Sequence, residues 1–180
     1  RQRQMCIRDS DKERDVRTNI AGEFQKSNLA AALQTAELIC GRLDEDKIYE
    51  ALSQIRISGR MEEIAPGIIV DVSHNIQGMQ GFVQTVEANY HGMKKRILFA
   101  ASHQNEEEYM KNILKTIPEI EAFYTVGIHK RRINEAEFQD AFRKMIDRNQ
   151  ETTVCFVVGS FYLAGMAKEF INQEEENVRL

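Results

Sequence analysis

Apolar and polar positions along residues 68–172 follow a pattern that predicts four strand–helix units. Four near-continuous apolar runs, at 68–72, 96–101, 122–127 and 152–158, each precede a segment in which apolar residues recur every three or four positions. Strands of this kind are typical of parallel sheets that carry helices on both faces. We therefore predict an α/β fold with a Rossmann-like, doubly wound and mostly parallel sheet.

Two helical patterns precede this sheet. Apolar residues recur on one face over residues 26–43, where Ser27 could cap the start of a helix and Gly41 lies near its end. A second helix is predicted over residues 44–55, with Asp44 as its N-cap. The apolar faces of both helices would need a partner to cover them.

Breaks in these patterns divide the chain into three segments. The stretch 58-SGRMEEIAPG-67 interrupts the periodicity with two glycines and a proline, so we place a domain boundary at its start, between residues 11–57 and 58–180. Residues 1–10 show no periodicity and look like a translated sequencing adapter. We expect them to be non-native or disordered. If they are non-native, we expect the chain to be the C-terminal piece of a longer protein.

Composition excludes several classes of protein. The 180 residues carry 24 basic and 28 acidic side chains that are interspersed, which gives no field suited to nucleic acid or to an anionic membrane. The apolar runs are too short to span a bilayer, and the chain opens with no signal peptide. Cys6, Cys40 and Cys155 lie far apart, and the last two fall in patterns that predict burial as small hydrophobic residues. A reducing cytoplasm is the compartment we expect.

The predicted strand ends carry the groups that could do chemistry, because ligands of open α/β sheets bind beyond the carboxyl ends of the strands. Asp71 and His74 could form a nucleotide or anion site at a strand-to-helix turn. Alternatively, Asn75 or Ser73 merely caps the next helix and Asp71 ends the strand. The Gly159–Ser160 pair after the last strand has the same two interpretations, and a simple serine cap is the one that the pattern favours.

Other kinds of site find less support. His74, His103 and His129 all follow predicted strands, but no HxxxH spacing supports zinc, and we predict no metal site. The run 129-HKRR-132 could grip phosphate, although four basic residues in a loop are usually a solvated surface. No GxGxxG, GxSxG or GxxxxGK[ST] motif occurs.

Three stretches in order carry a resemblance to a known family. They are 22-GEFQKSNLAAAL-33, then 59-GR-60 followed by 71-DVSHN-75, then 158-VGSFYLAG-165. Together, across residues 20–172, they resemble the C-terminal part of folylpolyglutamate synthase, including its bifunctional dihydrofolate synthase form, in the Mur ligase superfamily. The resemblance implies that residues 11–57 end a central ATPase domain and that residues 58–180 form the Rossmann-like C-terminal ligase domain.

The resemblance also implies an activity. Such enzymes use ATP and Mg²⁺ to phosphorylate a carboxylate of folate or dihydropteroate, and L-glutamate then attacks the acyl phosphate. The full-length protein would be a cytoplasmic monomer that binds neither nucleic acid nor membrane.

By the same resemblance, residues can be assigned to ligands only where they match the motifs. Gln25 and Asn28 would lie by the nucleotide, Arg60 would contact ATP phosphates, and Asp71 would contact the ribose or adenine side. His74 would lie near both the nucleotide and the incoming glutamate. Ser160 would also lie near the glutamate.

Several features depart from the family pattern or leave alternatives open. Ile76 stands where the family has proline, and Gln104–Asn105 do not match a Lys-Asp pair. The Walker A loop, the magnesium ligands and the folate-binding region are not in these 180 residues, so we expect them alone to be inactive, and pterin specificity stays open. A peptidoglycan Mur ligase is one alternative, and a nucleotide-binding module without chemistry is another.

Overall fold

The computed structural model describes residues 3–9, 12–18, 20, 22–129, 132–147 and 152–179. The chain divides into two compact units, Arg1–Ser58 and Gly59–Leu180. The division lies one residue from the boundary that we placed at 58. Whether the first unit is the end of an ATPase domain stays a prediction.

The first unit combines a hairpin with two helices. Strands β1 (Arg3–Asp9) and β2 (Lys12–Thr18) pair antiparallel, and helices α1 (Glu23–Cys40) and α2 (Glu45–Gln54) follow. We predicted no element in residues 1–10, where the structure has a strand. Backbone pairing with β2 defines that strand, and a charged sequence without alternation gives no sign of it. Whether residues 1–10 are native stays a prediction.

Helix α1 differs from its prediction at both ends. It begins at Glu23 after Gly22, so Ser27 lies inside the helix and does not cap it. It ends as predicted at Gly41, whose positive φ of 78° suits glycine. Cys40 in the last turn is exposed, so its predicted burial was wrong. The buried residues of α1, Leu29 and Leu33, instead pack in a small cluster with Ile20, Ile48 and Leu52.

Helix α2 begins as predicted. The side chain of Asp44 accepts hydrogen bonds from the backbone N–H groups of Asp46 and Lys47, which satisfies two donors that a helix start leaves free.

The second unit follows the predicted alternation of strands and helices. Its elements in chain order are β3 (Glu62–Ala65), β4 (Ile68–Asp71), α3 (Ile76–Asn89), β5 (Lys94–Phe99), α4 (Glu107–Leu114), β6 (Ile120–Thr125), β7 (Ile128–His129), β8 (Arg132–Ile133), α5 (Glu135–Ile146), β9 (Thr153–Val158) and α6 (Phe161–Arg179). A 3₁₀ turn at Gln104–Glu106 leads into α4. No helix in these described ranges is long and apolar enough to cross a membrane.

The sheet has five strands in the order β3-β4-β9-β5-β6. The last four are parallel, which confirms the mostly parallel sheet, and β3 is antiparallel to β4. We had interpreted the region of β3 as a break between domains. Two successive glutamates, Glu62 and Glu63, hide an edge strand from a search for apolar runs.

Helices cover both faces of the sheet, so the doubly wound arrangement is also confirmed. Phe82 of α3 and Met110 of α4 pack against one face, while Phe142 of α5 and Leu163 of α6 pack against the other. Each strand sends alternate side chains into the two cores. The adjacent strands β4 and β9 lead into helices on opposite faces, and in open α/β sheets ligands bind where two such strands end. We refer to this place as the crevice.

Candidate functional site

The carboxyl ends of β4 and β9 bring two of the motifs together. The N–H of Gly159, which follows β9, donates to the carbonyl of Asp71 at the end of β4 over 3.3 Å. Ser102, after β5, donates its hydroxyl to the carbonyl of Gly159 over 3.3 Å. Three strand ends are thus joined at one place, as the strand-end rule predicted.

Gly159 is the residue that permits this close approach. Its φ is +107°, and a Cβ there would lie 2.5 Å from the carbonyl oxygen of Ala100 and 2.6 Å from the ring of Phe99. Both the dihedral angle and the contact exclude a side chain. A glycine is therefore required for β9 to end against β5.

The segment that enters β3 is fixed against the end of β4. The N–H of Val72 donates to the carbonyl of Gly59 over 2.8 Å, and the N–H of Met61 donates to Oδ2 of Asp71 over 3.0 Å. Arg60 lies between these two anchors and is half-buried. Its guanidinium makes no hydrogen bond or ion pair within the described part of the chain, so its donors remain available for an anion.

Asp71 is a buried carboxylate that accepts three hydrogen bonds from the protein. Its side chain is 2% exposed, and Oδ1 accepts from both the N–H (2.9 Å) and the hydroxyl (2.6 Å) of Ser73. Burial raises the pKa of Asp71 above its ordinary value, while the bonds from Ser73 and Met61 and the charge of Arg60 oppose that rise. The carboxylate thus helps to order the two segments around it, and its predicted contact with a nucleotide stays a prediction.

His74 uses one ring nitrogen in a contact with its own segment. Its Nδ1 lies 3.0 Å from the carbonyl oxygen of Val72, and its ring lies 5.6 Å from that of Phe161. A carbonyl can only accept, so we assign the hydrogen to Nδ1, which leaves Nε2 of the neutral ring as an acceptor. The side chain is half-buried and can meet a ligand.

Two helices begin beside these residues. Asn75 caps α3 by accepting from the N–H of Gly78 over 2.7 Å, whereas Ser73 is bound to Asp71. Ser160 is 1% exposed, and its hydroxyl accepts from the N–H of Tyr162 at the start of α6 over 3.1 Å. The capping interpretation therefore holds for both Asn75 and Ser160. Two helix N-termini at one crevice favour negative charge there.

Gln25 and Asn28 form a pair on α1 in the first unit. The amide of Asn28 donates to Oε1 of Gln25 over 3.0 Å, with Gln25 buried and Asn28 exposed. Their predicted place by a nucleotide stays a prediction.

The remaining histidines do not join the crevice residues in any described contact. His103 is exposed after β5, and His129 lies in the β7–β8 hairpin, paired with Arg132. Lys130 and Arg131 of the basic run lie outside the described residues. Across the described ranges, no three His, Cys, Asp or Glu side chains come close enough to hold a metal ion.

Sequence reasoning missed three contributors to the site. They are the N–H of Met61, the hydroxyl of Ser73 as a partner of Asp71, and the ring of Phe161 against His74. Only Phe161 gave a signal, as an aromatic residue next to Ser160 at a strand end.

Comparison with known proteins supports the resemblance. No family model matches the chain. It is 23% identical over 109 residues to a dihydrofolate synthase/folylpolyglutamate synthase of Bacillus subtilis (strain 168), covering 57% of this chain and 25% of that protein. The chain thus spans a quarter of the curated relative. The predicted resemblance to the C-terminal part of folylpolyglutamate synthase is confirmed.

Two solved structures show the fold. An FPGS–AMPPCP–folate complex matches with a TM-score of 0.74 at 19% identity, over 94% of this chain and 42% of its own. A pseudomurein peptide ligase type C from Methanothermus fervidus matches with a TM-score of 0.71 at 17% identity, over 96% of this chain and 40% of its own. The α/β fold predicted from periodicity is therefore the one that these ligases contain.

Proposed function

We propose, from its likeness to folylpolyglutamate synthases, that this chain is the C-terminal part of an ATP-dependent ligase. The parent enzyme would add L-glutamate to folate or dihydropteroate through an acyl phosphate. The observation that carries the proposal is the crevice at the ends of β4 and β9. There the motifs 59-GR-60, 71-DVSHN-75 and 158-VGSFYLAG-165, which contain Arg60, His74 and Ser160, contact one another.

Two charged or polar groups in the crevice suit such a reaction. Arg60 has unengaged donors in a planar fork, which matches the spread negative charge of phosphates. His74 keeps Nε2 as an acceptor, so it can hold a hydrogen of the glutamate ammonium and help to free the attacking amine. The two helix N-termini add positive potential for the carboxylates of glutamate or for phosphate.

Other groups complete the proposal. Gln25 and Asn28 would lie by the nucleotide, and Ser160 near the glutamate. The parent enzyme would use Mg²⁺ together with ATP. We further propose a monomeric, cytoplasmic parent, and 180 residues that do not ligate by themselves.

The experiment is an ADP-release assay on the full-length parent protein with folate, dihydropteroate and L-glutamate. We expect ADP release to depend on both the pterin substrate and glutamate, and R60A and H74A to reduce kcat/KM at least tenfold. K144A, in an exposed pair with Asp140, is the matched control and should behave as wild type. Wild-type turnover that ignores folate and glutamate would overturn the proposal.

A peptidoglycan-type ligase is the second candidate, because the pseudomurein peptide ligase shares the fold. Its substrate would be a peptide carboxylate, so the same assay with peptide precursors in place of folate distinguishes the two. A nucleotide-binding module without chemistry is the third candidate. It predicts that the 180-residue chain binds ATP tightly by itself, which calorimetry can measure.

A further inference from the structure

Two charged residues, Glu62 and Lys168, form an ion pair beside the segment that carries Arg60. We propose that they are positioning residues, which tie this segment to helix α6 and so fix where the guanidinium of Arg60 lies. The proposal rests on the proposed function, in which Arg60 contacts the phosphates of ATP. Neither residue belongs to the motifs that carry the family resemblance.

The carboxylate of Glu62 joins two partners from distant parts of the chain. Its Oε2 accepts from the backbone N–H of Gly59 over 2.5 Å and from Nζ of Lys168 over 2.6 Å. The first partner directly precedes Arg60, and the second lies in α6, 106 residues from Glu62 along the chain. One oxygen thus connects the first residue of the second unit to the helix that ends it.

Helix α6 is a firm support for this connection. Leu163, Ala164, Ala167 and Phe170 of this helix are buried in the core on one face of the sheet. Ala167 directly precedes Lys168, and close packing around it leaves the backbone there little room to shift. The helix is therefore the fixed end of the connection.

The segment from Gly59 to Met61 is the end that needs support. It enters β3, an edge strand that pairs with β4 alone in the sheet. Met61 has a φ of 45°, which a non-glycine residue seldom adopts unless surrounding bonds impose it. The carbonyl of Gly59 accepts from Val72 over 2.8 Å, and its N–H donates to Glu62. Loss of the Glu62 carboxylate would remove one of these two bonds immediately before Arg60.

The exposure of the pair indicates a role beyond stability. The side chains of Lys168 and Glu62 are 29% and 32% exposed, and ion pairs near the surface contribute little to the free energy of unfolding. A displacement of about 1 Å in a phosphate-binding group can instead lower the catalytic rate about a hundredfold. We therefore expect the pair to matter more for turnover than for folding, and the two effects can be measured separately.

The first test needs no activity. Amide hydrogen exchange of Gly59 is measured by NMR in the 180-residue chain for wild type, E62A and K168M. Exchange should be at least about tenfold faster in E62A, which removes the acceptor. It should be about threefold faster in K168M, which frees the carboxylate to move.

K144M is the matched control for this test. It breaks an ion pair with Asp140 on α5 and should leave the exchange of Gly59 unchanged. Wild-type protection of Gly59 in both E62A and K168M would overturn the proposal.

The second test measures turnover and folding in the full-length parent. K168M should lower kcat/KM for ATP about tenfold, with KM for glutamate changed less than about twofold, because Arg60 contacts ATP in the proposed function. It should lower Tm by no more than about 4 °C. K168R, which keeps the cation, should retain kcat/KM within about threefold of wild type. A K168M variant that melts lower but turns over as wild type would show a merely structural pair and refute the proposal.

A double-mutant cycle tests whether the pair acts through Arg60. If it does, R60A/K168M has the same kcat/KM as R60A, because the positioned group is already gone. Multiplied losses in the double variant would overturn the positioning role.

The tests separate failure of this inference from failure of the proposed function. A wild-type parent without folate- and glutamate-dependent ADP release removes the ligase proposal, and the exchange of Gly59 still decides whether Glu62 and Lys168 hold the segment. An active wild type whose kcat/KM is unchanged by K168M leaves the ligase proposal standing and removes this inference.

Discussion

The substitution G159A tests the claim that three strand ends are packed too closely for a side chain. An alanine there must adopt a φ of +107°, which costs about 1–3 kcal/mol for a non-glycine residue. Its Cβ must also displace the Ala100 carbonyl, which lies 2.5 Å away, and the Phe99 ring. Overpacking of this kind costs about 1–3 kcal/mol more. We therefore expect G159A to lose about 2–6 kcal/mol of the free energy of unfolding.

That loss translates into a large change in melting temperature. The unit that begins at Gly59 is of a size for which 1 kcal/mol shifts Tm by about 4 °C, so G159A should melt about 8–24 °C lower. Thermal unfolding of the 180-residue chain is followed by circular dichroism, with urea unfolding as a second measure. Amide exchange in β9 assigns the transition to this unit, because β9 lies inside the sheet.

Two other glycines separate the conformational cost from the packing cost. A Cβ at Gly92 meets no atom within 4 Å but keeps a φ of +75°, so G92A should lose only about 1 kcal/mol. A Cβ at Gly165, inside α6, also meets none, so G165A should gain about 0.5–1 kcal/mol from helix propensity. The reasoning is refuted if G159A is as stable as G92A.

Three further predictions concern the cap, the thiols and the buried carboxylate. N75A should lower the free energy of unfolding in urea by about 1 kcal/mol, because it removes the α3 cap. I76P should lower it by less, because proline is tolerated at the first residue of a helix. Equal losses in the two variants would contradict this prediction. At neutral pH a thiol reagent should label the exposed Cys40 rapidly. Cys155 should stay unlabelled until the protein unfolds, because it is buried and its burial raises its pKa to about 11. Equal labelling rates of the two thiols would contradict the fold. Because burial raises the pKa of Asp71, its stabilising contribution is complete below about pH 3.9 and is lost as pH rises through the folded-state value. As the pH rises from 4 to 8, the free energy of unfolding of D71N measured in urea should therefore increase relative to that of the wild type. A difference that stays constant over this range would refute the predicted direction.

The sequence predicted the second unit well because its strands are buried on both faces. An apolar run bounded by polar turns is visible without knowledge of its neighbours, and β4, β5, β6 and β9 all lie within two residues of their predicted positions. The antiparallel strand β3 was missed, since it is polar and lies at an edge. The hairpin β1–β2 was missed because only pairing defines it.

The sequence predicted that the site lies at a set of strand ends, but it did not predict the hydrogen bonds within the site. Asn75 and Ser160 could be recognised as caps because a cap is a local interaction within three residues. The bond between Asp71 and the N–H of Met61 joins residues ten apart across a strand pair, and no local pattern reports it.

The sequence by itself determined which segments are strands and helices, and which edge of the sheet carries polar groups, because periodicity and capping depend on near neighbours. Only the tertiary structure decided that β9 lies between β4 and β5, since strand order depends on how helices pack on the two faces. That order places Gly159 against Asp71 and Phe161 against His74. The tertiary structure also buries Asp71 and bonds its carboxylate to Met61 and Ser73, which spacing along the sequence could not reveal.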